Sequence, residues 1–400
     1  MLGSRFLSLM KRSLRAWGPL APMIWTVIWT LAGCAAEGPI ESTAPVADVK
    51  VTPTMDTLRV GESVQLYADP RDARGRVLKG RSVAAVSQEP AVVNLLPGGV
   101  ASALTPGVAR VLVTSEGQTA TVSITVLAPA GPIAECESPK PAWLWCDDFE
   151  RDRLDQYFEY SSAAGGFVRA AGVGYGGSSG MRVRFEPKQV DVGSLHLAIG
   201  KTPSAYMRAV DAGTAVHREV YWRFYVRYSP DWVGGGGNKV SRAQSLAATT
   251  FAQAMIAHVW SGSAPGDQVP IDRLGLDPWT GVGWRGKLET SEYNDFPHLR
   301  GIGRDFSKTT LFDRVHTGKW QCIEAHARLN DPGRSNGLFE LWLADQPEAK
   351  LSGLGWIGSF RDFGINAIYL ENYWNDGAPQ AQERYFDNFV VSTERIGCLK

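Results

Sequence analysis

The chain has 400 residues, 44% of them hydrophobic and 20% charged, with 41 Lys and Arg against 41 Asp and Glu. At roughly 150 residues per domain this length holds about two to three domains, and the composition excludes wholesale disorder. The balanced charge argues against a nucleic-acid binder that works by neutralising phosphates. In chain order, the N-terminus carries Arg5, Lys11, Arg12 and Arg15 with no acid through Gly33, and an apolar run extends from Pro19 to Ala32. This pattern predicts a secretory signal. The alternative, a membrane anchor, is disfavoured because the run is shorter than the roughly 20 residues a bilayer span needs and Pro22 interrupts it.

The run ends in Leu31-Ala32-Gly33-Cys34, which resembles the bacterial lipobox. That resemblance implies removal of residues 1–33, lipidation of Cys34, and a lipid anchor at the bacterial outer membrane or cell surface. Residues 34–45 are then a small, polar tether. With Cys34 set aside, Cys136, Cys146, Cys322 and Cys398 form an even set suited to two disulfides in an oxidising compartment. One bridge with two free buried thiols is the alternative, and their spacing fits no zinc ribbon.

From Val46 to Leu127, alternating runs such as Thr119 to Val126, punctuated by Gly61, Gly75, Gly98-Gly99 and Pro106-Gly107, predict a β-sandwich. Leu58 to Leu66 (LRVGESVQL) resembles the "lkvGetvqLta" strand of group 2 bacterial immunoglobulin-like domains. Ala73 to Leu78 resembles their "d..Gnvl" hairpin, and Leu104 to Ala109 their "v.pGta" turn. The chain departs from that pattern at Ala85, where the family has Trp, so the core there must be filled differently. The resemblance implies an immunoglobulin-like domain over 46–127 that serves as a spacer or adhesion module.

Residues 128–142 are proline-rich and predict a linker. Eleven of the 14 Trp residues lie beyond it, in a 143–400 module whose strand signals include Val220 to Tyr228, Ala254 to Trp260, Lys319 to Leu329, Leu338 to Ala344, Ile365 to Asn372 and Arg384 to Ser392. Strands and glycine turns over that length predict a large jelly-roll sandwich, which makes the whole chain all-β. Most of the indoles then belong to the core, with sugar stacking as the alternative for a few.

Four pieces of this module resemble the concanavalin A-like lectin/glucanase superfamily: Trp145 to Glu150 (WCDDFE), Gly318 to Glu324 (GKWQCIE), Asn330 to Trp342 and Arg384 to Ser392 (RYFDNFVVS). In that fold the first and last strands are antiparallel neighbours. The resemblance therefore implies that Asp147 or Asp148 approaches Asp387, a carboxylate pair suited to a structural Ca²⁺ or to capping backbone donors. It also implies that Cys398 lies near Cys136 or Cys146.

The glucanases of the superfamily use two carboxylates at an E-x-D-x-x-E or E-x-D-x-E spacing; Glu289 and Glu292 lack the intervening Asp, so that hydrolysis is disfavoured. Polysaccharide lyases of the fold need instead a group that neutralises a uronate carboxylate, a base and an acid. Ile256-Ala257-His258 resembles the "QIH" piece of alginate lyases and Tyr369 to Asp376 (YLENYWND) their "YFKAGxYNQ" strand. The chain lacks the Gln of the first motif, and Glu371-Asn372 interrupts the second. These resemblances imply catalytic roles for His258 and Tyr373, with Arg223 or Arg227 anchoring the substrate carboxylate. Tyr221, Arg223, Tyr225 and Arg227 alternate on one strand, and Lys239 and Arg242 close the Gly-rich segment Trp232 to Arg242.

The resulting reading is a surface-anchored lipoprotein whose jelly-roll module binds an acidic polysaccharide, with cleavage by β-elimination as its catalytic form. The catalytic set is His258, Tyr373 and Arg223, and the substrate-binding set is Tyr225, Arg227, Lys239 and Arg242. The alternative is a non-catalytic carbohydrate-binding or adhesion protein of the cell envelope. The deciding question is whether these side chains converge in one groove.

Overall fold

The computed structural model describes residues 44–128, 135–234, 237–261, 272–313 and 315–399. Cys34 and its tether through residue 43 lie outside the described residues. Among those described there is no α-helix, only strands, turns and short 3₁₀ segments. The fold is all-β.

The N-terminal region forms two four-stranded sheets. One runs Asp48–Pro53, Ser63–Arg71, Val100–Ala103, Val93–Leu96, and the other Thr57–Arg59, Gln118–Leu127, Gly107–Ser115, Ala84–Ser87. Alternation places Val64, Leu66, Val111, Val113, Ile124 and Val126 in one core between them. The strand carrying Ala85 is an outer edge with Ala84, Ala85 and Val86 all exposed. No core position exists there for the missing Trp to fill.

The C-terminal region is a larger jelly-roll sandwich. One sheet runs Glu159–Ser161, Asp191–Ala198, Ala367–Tyr373, Asn238–Leu246, Gln253–Ser261, Arg273–Thr280, Arg300–Gly301. The other runs Phe167–Ala170, Gly180–Phe185, Gln382–Ser392, Glu219–Tyr228, Trp320–Arg328, Gly337–Leu343, Gln346–Leu354, and Trp143–Asp147 also pairs with Gln382–Ser392. First and last strands are thus antiparallel neighbours, as expected. Trp222, Phe224 and Val226 from one sheet meet Val240, Ala257, Val259, Ile368 and Leu370 from the other in a continuous apolar core.

The polar side of Glu219–Tyr228 corrects an expectation. Arg223, Tyr225 and Arg227 share a face, but it is the outer face of the second sheet, and three other segments cover it. Fully buried Arg223 pairs with Glu135 and donates to the carbonyls of Gly397 and Asn388, both at 3.1 Å. The Tyr225 hydroxyl accepts from Leu399 N at 2.7 Å. Arg227 lies between the rings of Tyr385 and Trp320 and donates to Gly61 O of the N-terminal sandwich at 2.8 Å. At that junction a Cβ on Gly61 would approach Gly172 O to 3.0 Å and one on Gly318 would approach Ser63 O to 2.7 Å, so glycine permits the backbones to meet.

Disulfides Cys136–Cys146 and Cys322–Cys398 pin the two ends of this module over the same face. Two bridges form, but Cys398 pairs with Cys322 and not with Cys136 or Cys146. Residues 135–142, expected as linker, belong to the sandwich through Glu135 and Cys136.

Asp147 and Asp387 stand on adjoining strands, yet their oxygens are occupied. Asp147 accepts from Phe149 N and the Tyr157 hydroxyl, both at 3.0 Å; Asp387 accepts from Tyr175 N at 2.6 Å, Asn388 N at 2.7 Å and Ser178 Oγ at 3.0 Å. Among the described residues no group of three or more His, Cys, Asp or Glu could hold a metal ion. The donor set fits turn capping and does not fit a calcium cradle. Burial pushes Asp147 up to about 6 and Asp387 well above the usual carboxylate range, against the pull of these hydrogen bonds. An acid that holds its proton more tightly folded than unfolded stabilises the fold at low pH and loses that contribution as pH rises through its folded value. Wild-type stability should therefore fall relative to Asp147→Asn by about 2–3 kcal/mol between about pH 4 and about pH 7. Urea unfolding across that range measures it, and parallel curves would contradict it.

Candidate functional site

The outer face of the first sheet carries a polar row set by strand register. Glu159 pairs with His196, His196 with Tyr369, Tyr369 with Arg242, Arg242 with His258, and His258 with Asp277, so six side chains from six strands align across one face. Lys239 and Arg242 lie within the strand Asn238–Leu246, not at the end of a loop, and a bulge between Lys239 and Ser241 brings both to this face. Lys239, Arg242 and Tyr373 line one groove, and His258 lies next to Arg242 on the same face without lining it; Arg223, Tyr225 and Arg227 lie on the other sheet.

A groove of about 600 Å³ opens over the row, lined by Lys239, Arg242, Tyr293, Phe296, Glu371 and Tyr373 among others. Arg242 Nη2 meets Glu371 Oε1 at 2.7 Å, both side chains buried, and it also hydrogen-bonds the Tyr293 hydroxyl. The Lys239 ammonium lies 4.5 Å from the centre of the half-exposed Tyr373 ring, and burial lowers its pKa. His196 stacks on Tyr369 at 3.5 Å and pairs with Glu159 at 3.0 Å. Carboxylates outnumber cations in the groove: Glu159, Asp191 and Glu371 stand with Lys239 and Arg242.

His258 is the outlier. It is 7% exposed, its ring stacks on Trp260, and neither ring nitrogen has a hydrogen-bond partner. Burial, then the charges of Arg242 and Lys239, hold its pKa well below the ordinary value, so it is neutral. His326, on the opposite sheet, has Glu219 at 2.9 Å and Glu340 at 2.8 Å on its two nitrogens and is a satisfied structural residue.

Several residues on this face had no sequence signal. Tyr293 sits on a loop closed by Asp295, which accepts from Ser291 N at 2.8 Å and pairs with His298 at 2.8 Å. Gln244 stands opposite Ile256 in register, on the same side as Arg242 two residues away, and its Nε2 is unpaired. The amide missing from the Ile256-Ala257-His258 motif is present one strand over. Glu371, which interrupts the second motif, is the acid of the groove floor.

The sequence matches no family model and no curated protein. Among solved structures, the chain is similar to an endo-β-1,4-glucuronan lyase from the fungus Trichoderma reesei, at 12% identity over 63% of this chain and 96% of that one, with a TM-score of 0.41. It is similar to a PL-14 alginate lyase from Aplysia kurodai at 10% identity, 63% and 99% coverage and a TM-score of 0.43. Alginate lyase vAL-1 from Chlorella virus matches at 14% identity, 57% and 89% coverage and a TM-score of 0.39.

The buried Arg242–Glu371 pair makes a direct test of the floor. Removing one partner leaves a buried charge uncompensated, so Arg242→Ala should lose about 3–5 kcal/mol of stability. Arg242→Ala with Glu371→Gln should lose less than the two single losses added together. Urea denaturation of the four members of the cycle reads the coupling; additive losses would mean that the pair is not formed.

Proposed function

We propose that the groove binds an acidic polysaccharide and cleaves it by β-elimination. The observation that carries this reading is a concentration of unsatisfied polar atoms. Arg242 Nε, Gln244 Nε2, both His258 nitrogens and Glu371 Oε2 are buried without partners on one face; Arg242 and Glu371 line the groove, and Gln244 and His258 stand beside Arg242 without lining it. Such atoms cost stability unless something bonds them, and a ligand rich in hydroxyls and carboxylates supplies the missing partners.

A uronate carboxylate entering beside Lys239 and Arg242 meets two cations, which stabilise the charge that builds up when the C5 proton leaves. Neutral His258 accepts that proton on a bare nitrogen. The C5 electron pair forms the C4=C5 double bond as the C4–O4 bond breaks, and the Tyr373 phenol donates a proton to the departing O4. The products are a shortened chain and a fragment ending in an unsaturated uronate.

Non-catalytic carbohydrate binding is the second reading. It is favoured by Glu371, which already neutralises Arg242, and by Phe296 and Tyr373, 62% and 38% exposed, which offer ring faces for sugar stacking. Incubation with alginate, glucuronan and glycosaminoglycans, followed by ultraviolet absorbance of the unsaturated product, separates the two. Turnover should fall by about 10²–10⁴-fold in His258→Ala and Tyr373→Phe, with binding retained. Binding without turnover in wild type would establish the second reading, and silence in every assay would remove both.

We also propose that the N-terminal sandwich is an immunoglobulin-like spacer and that lipidated Cys34 anchors the protein at the bacterial outer membrane or cell surface. Cys34→Ser should abolish labelling by radioactive palmitate and move the full-length chain from the detergent phase to the aqueous phase of a bacterial extract. An unchanged partition would remove the anchor.

A further inference from the structure

A second cavity, of about 590 Å³, opens at the edge of the C-terminal sandwich. The strand Arg300–Gly301 ends the groove sheet there, and the chain beyond it packs on the edge strand of the other sheet: a Cβ on Gly303 would meet Leu351 at 3.4 Å and Leu354 at 3.6 Å. The charged side chains lining this cavity are Arg285, Arg300 and Arg334, with no acid among the lining residues. Arg300 is partly engaged, pairing with Glu289 just outside and donating to Val282 O at 2.7 Å. The guanidinium groups of Arg285 and Arg334 make no hydrogen bond or ion pair among the described residues. The nearby Asp331 carboxylate accepts the Asn336 amide at 2.8 Å.

The backbone at Arg285 is a second, independent observation. Its φ of 60° and ψ of 21° are left-handed, a conformation that non-glycine residues adopt at a cost. The position is held from both sides. Ser359 Oγ donates to Arg285 O at 2.7 Å, and Gly286 packs so closely that a Cβ there would approach Phe360 N to 2.5 Å. A strained turn thus presents an unpaired arginine to a cavity that already holds two more, Arg300 paired with Glu289 and Arg334 acting on Asp331 nearby, and an anion entering the cavity would give Arg285 a partner and add one for the others.

We propose that this cavity is a second anion-binding site, taking sulfate or carboxylate groups of an anionic polysaccharide outside the groove. Four strand spacings, about 19 Å in all, separate Ala367–Tyr373 from Arg300–Gly301, so an occupant that also reaches the groove must be a polymer. The site shares no residue with the groove and does not depend on whether the groove is catalytic.

The test uses the full chain and dextran sulfate as probe, with inorganic sulfate as competitor, titrated at several salt concentrations. Arg285→Gly with Arg334→Ala should weaken dextran sulfate binding about tenfold or more and make its salt dependence shallower, by about one to two in the logarithmic slope. Arg285→Gly alone should raise the melting temperature, because glycine relieves the left-handed strain, while it lowers affinity; a merely structural arginine would not move the two readouts in opposite directions. Wild-type affinity in the double variant would overturn the proposal. Direct binding of inorganic sulfate with no measurable affinity for the polymer would overturn its polysaccharide part.

Discussion

The floor of the groove rests on one buried cation. Arg384 belongs to the second sheet, is fully buried, and points across the core between the rings of Phe185 and Phe386. It donates to Asn372 Oδ1 at 3.0 and 2.7 Å, to Asn238 Oδ1 and Lys239 O at 2.8 Å each, and to Glu371 O. Burial pulls its pKa down to about 10. A guanidinium taken this far from water is tolerable only when nearly every donor is used. Meeting that demand ties two strands of the first sheet to one strand of the second. The positions so fixed are Lys239 and Glu371, the two charges flanking Arg242. The groove is therefore built from beneath, by a residue that never reaches it.

The same logic accounts for the polar outer face of the second sheet. Arg223 and Arg227 are as buried as core residues, and the terminal guanidinium nitrogens of each are bonded by segments far away in sequence: Glu135 and Gly397 for the first, Gly61 for the second. These bonds close the ends of the jelly roll on one another and seat the N-terminal sandwich against it. Arginines that read as ligand-binding groups are structural here, and they make the contact between the two sandwiches a specific one.

How far the sequence could be read follows from what periodicity encodes. Alternation along Val220 to Tyr228 correctly separates core from polar side, and the first and last strands do pair. It does not say which of two stacked sheets carries the groove, because a polar face looks the same whether water, a sugar or another segment covers it. His258, Arg242, Lys239 and Tyr373 were legible by residue type and motif, yet their alignment depends on register and on the bulge at Lys239, which are long-range properties. Tyr293 lies on a loop with no period. Gln244 was hidden because its neighbour Ile256 is next to it in space and not in sequence.

The two buried histidines of this sandwich show why burial alone does not mark a site. His326 and His258 are nearly equally hidden, 2% and 7% exposed. His326 has a glutamate on each nitrogen, so its ring is fully used and has no capacity left for a ligand. His258 is held neutral by burial first and by the charges of Arg242 and Lys239 second, and both its nitrogens are bare. A neutral imidazole with an open lone pair, beside a guanidinium and an ammonium, can take a proton from a carbon acid whose conjugate base those cations stabilise. The charge that disfavours protonating the resting imidazole becomes an advantage once a substrate carboxylate lies between them, because the anion offsets the cations and raises the basicity of the ring as the proton arrives. Glu371 limits that advantage, since it competes with the substrate carboxylate for Arg242. The balance between those two carboxylates is what separates a groove that cleaves from one that only binds.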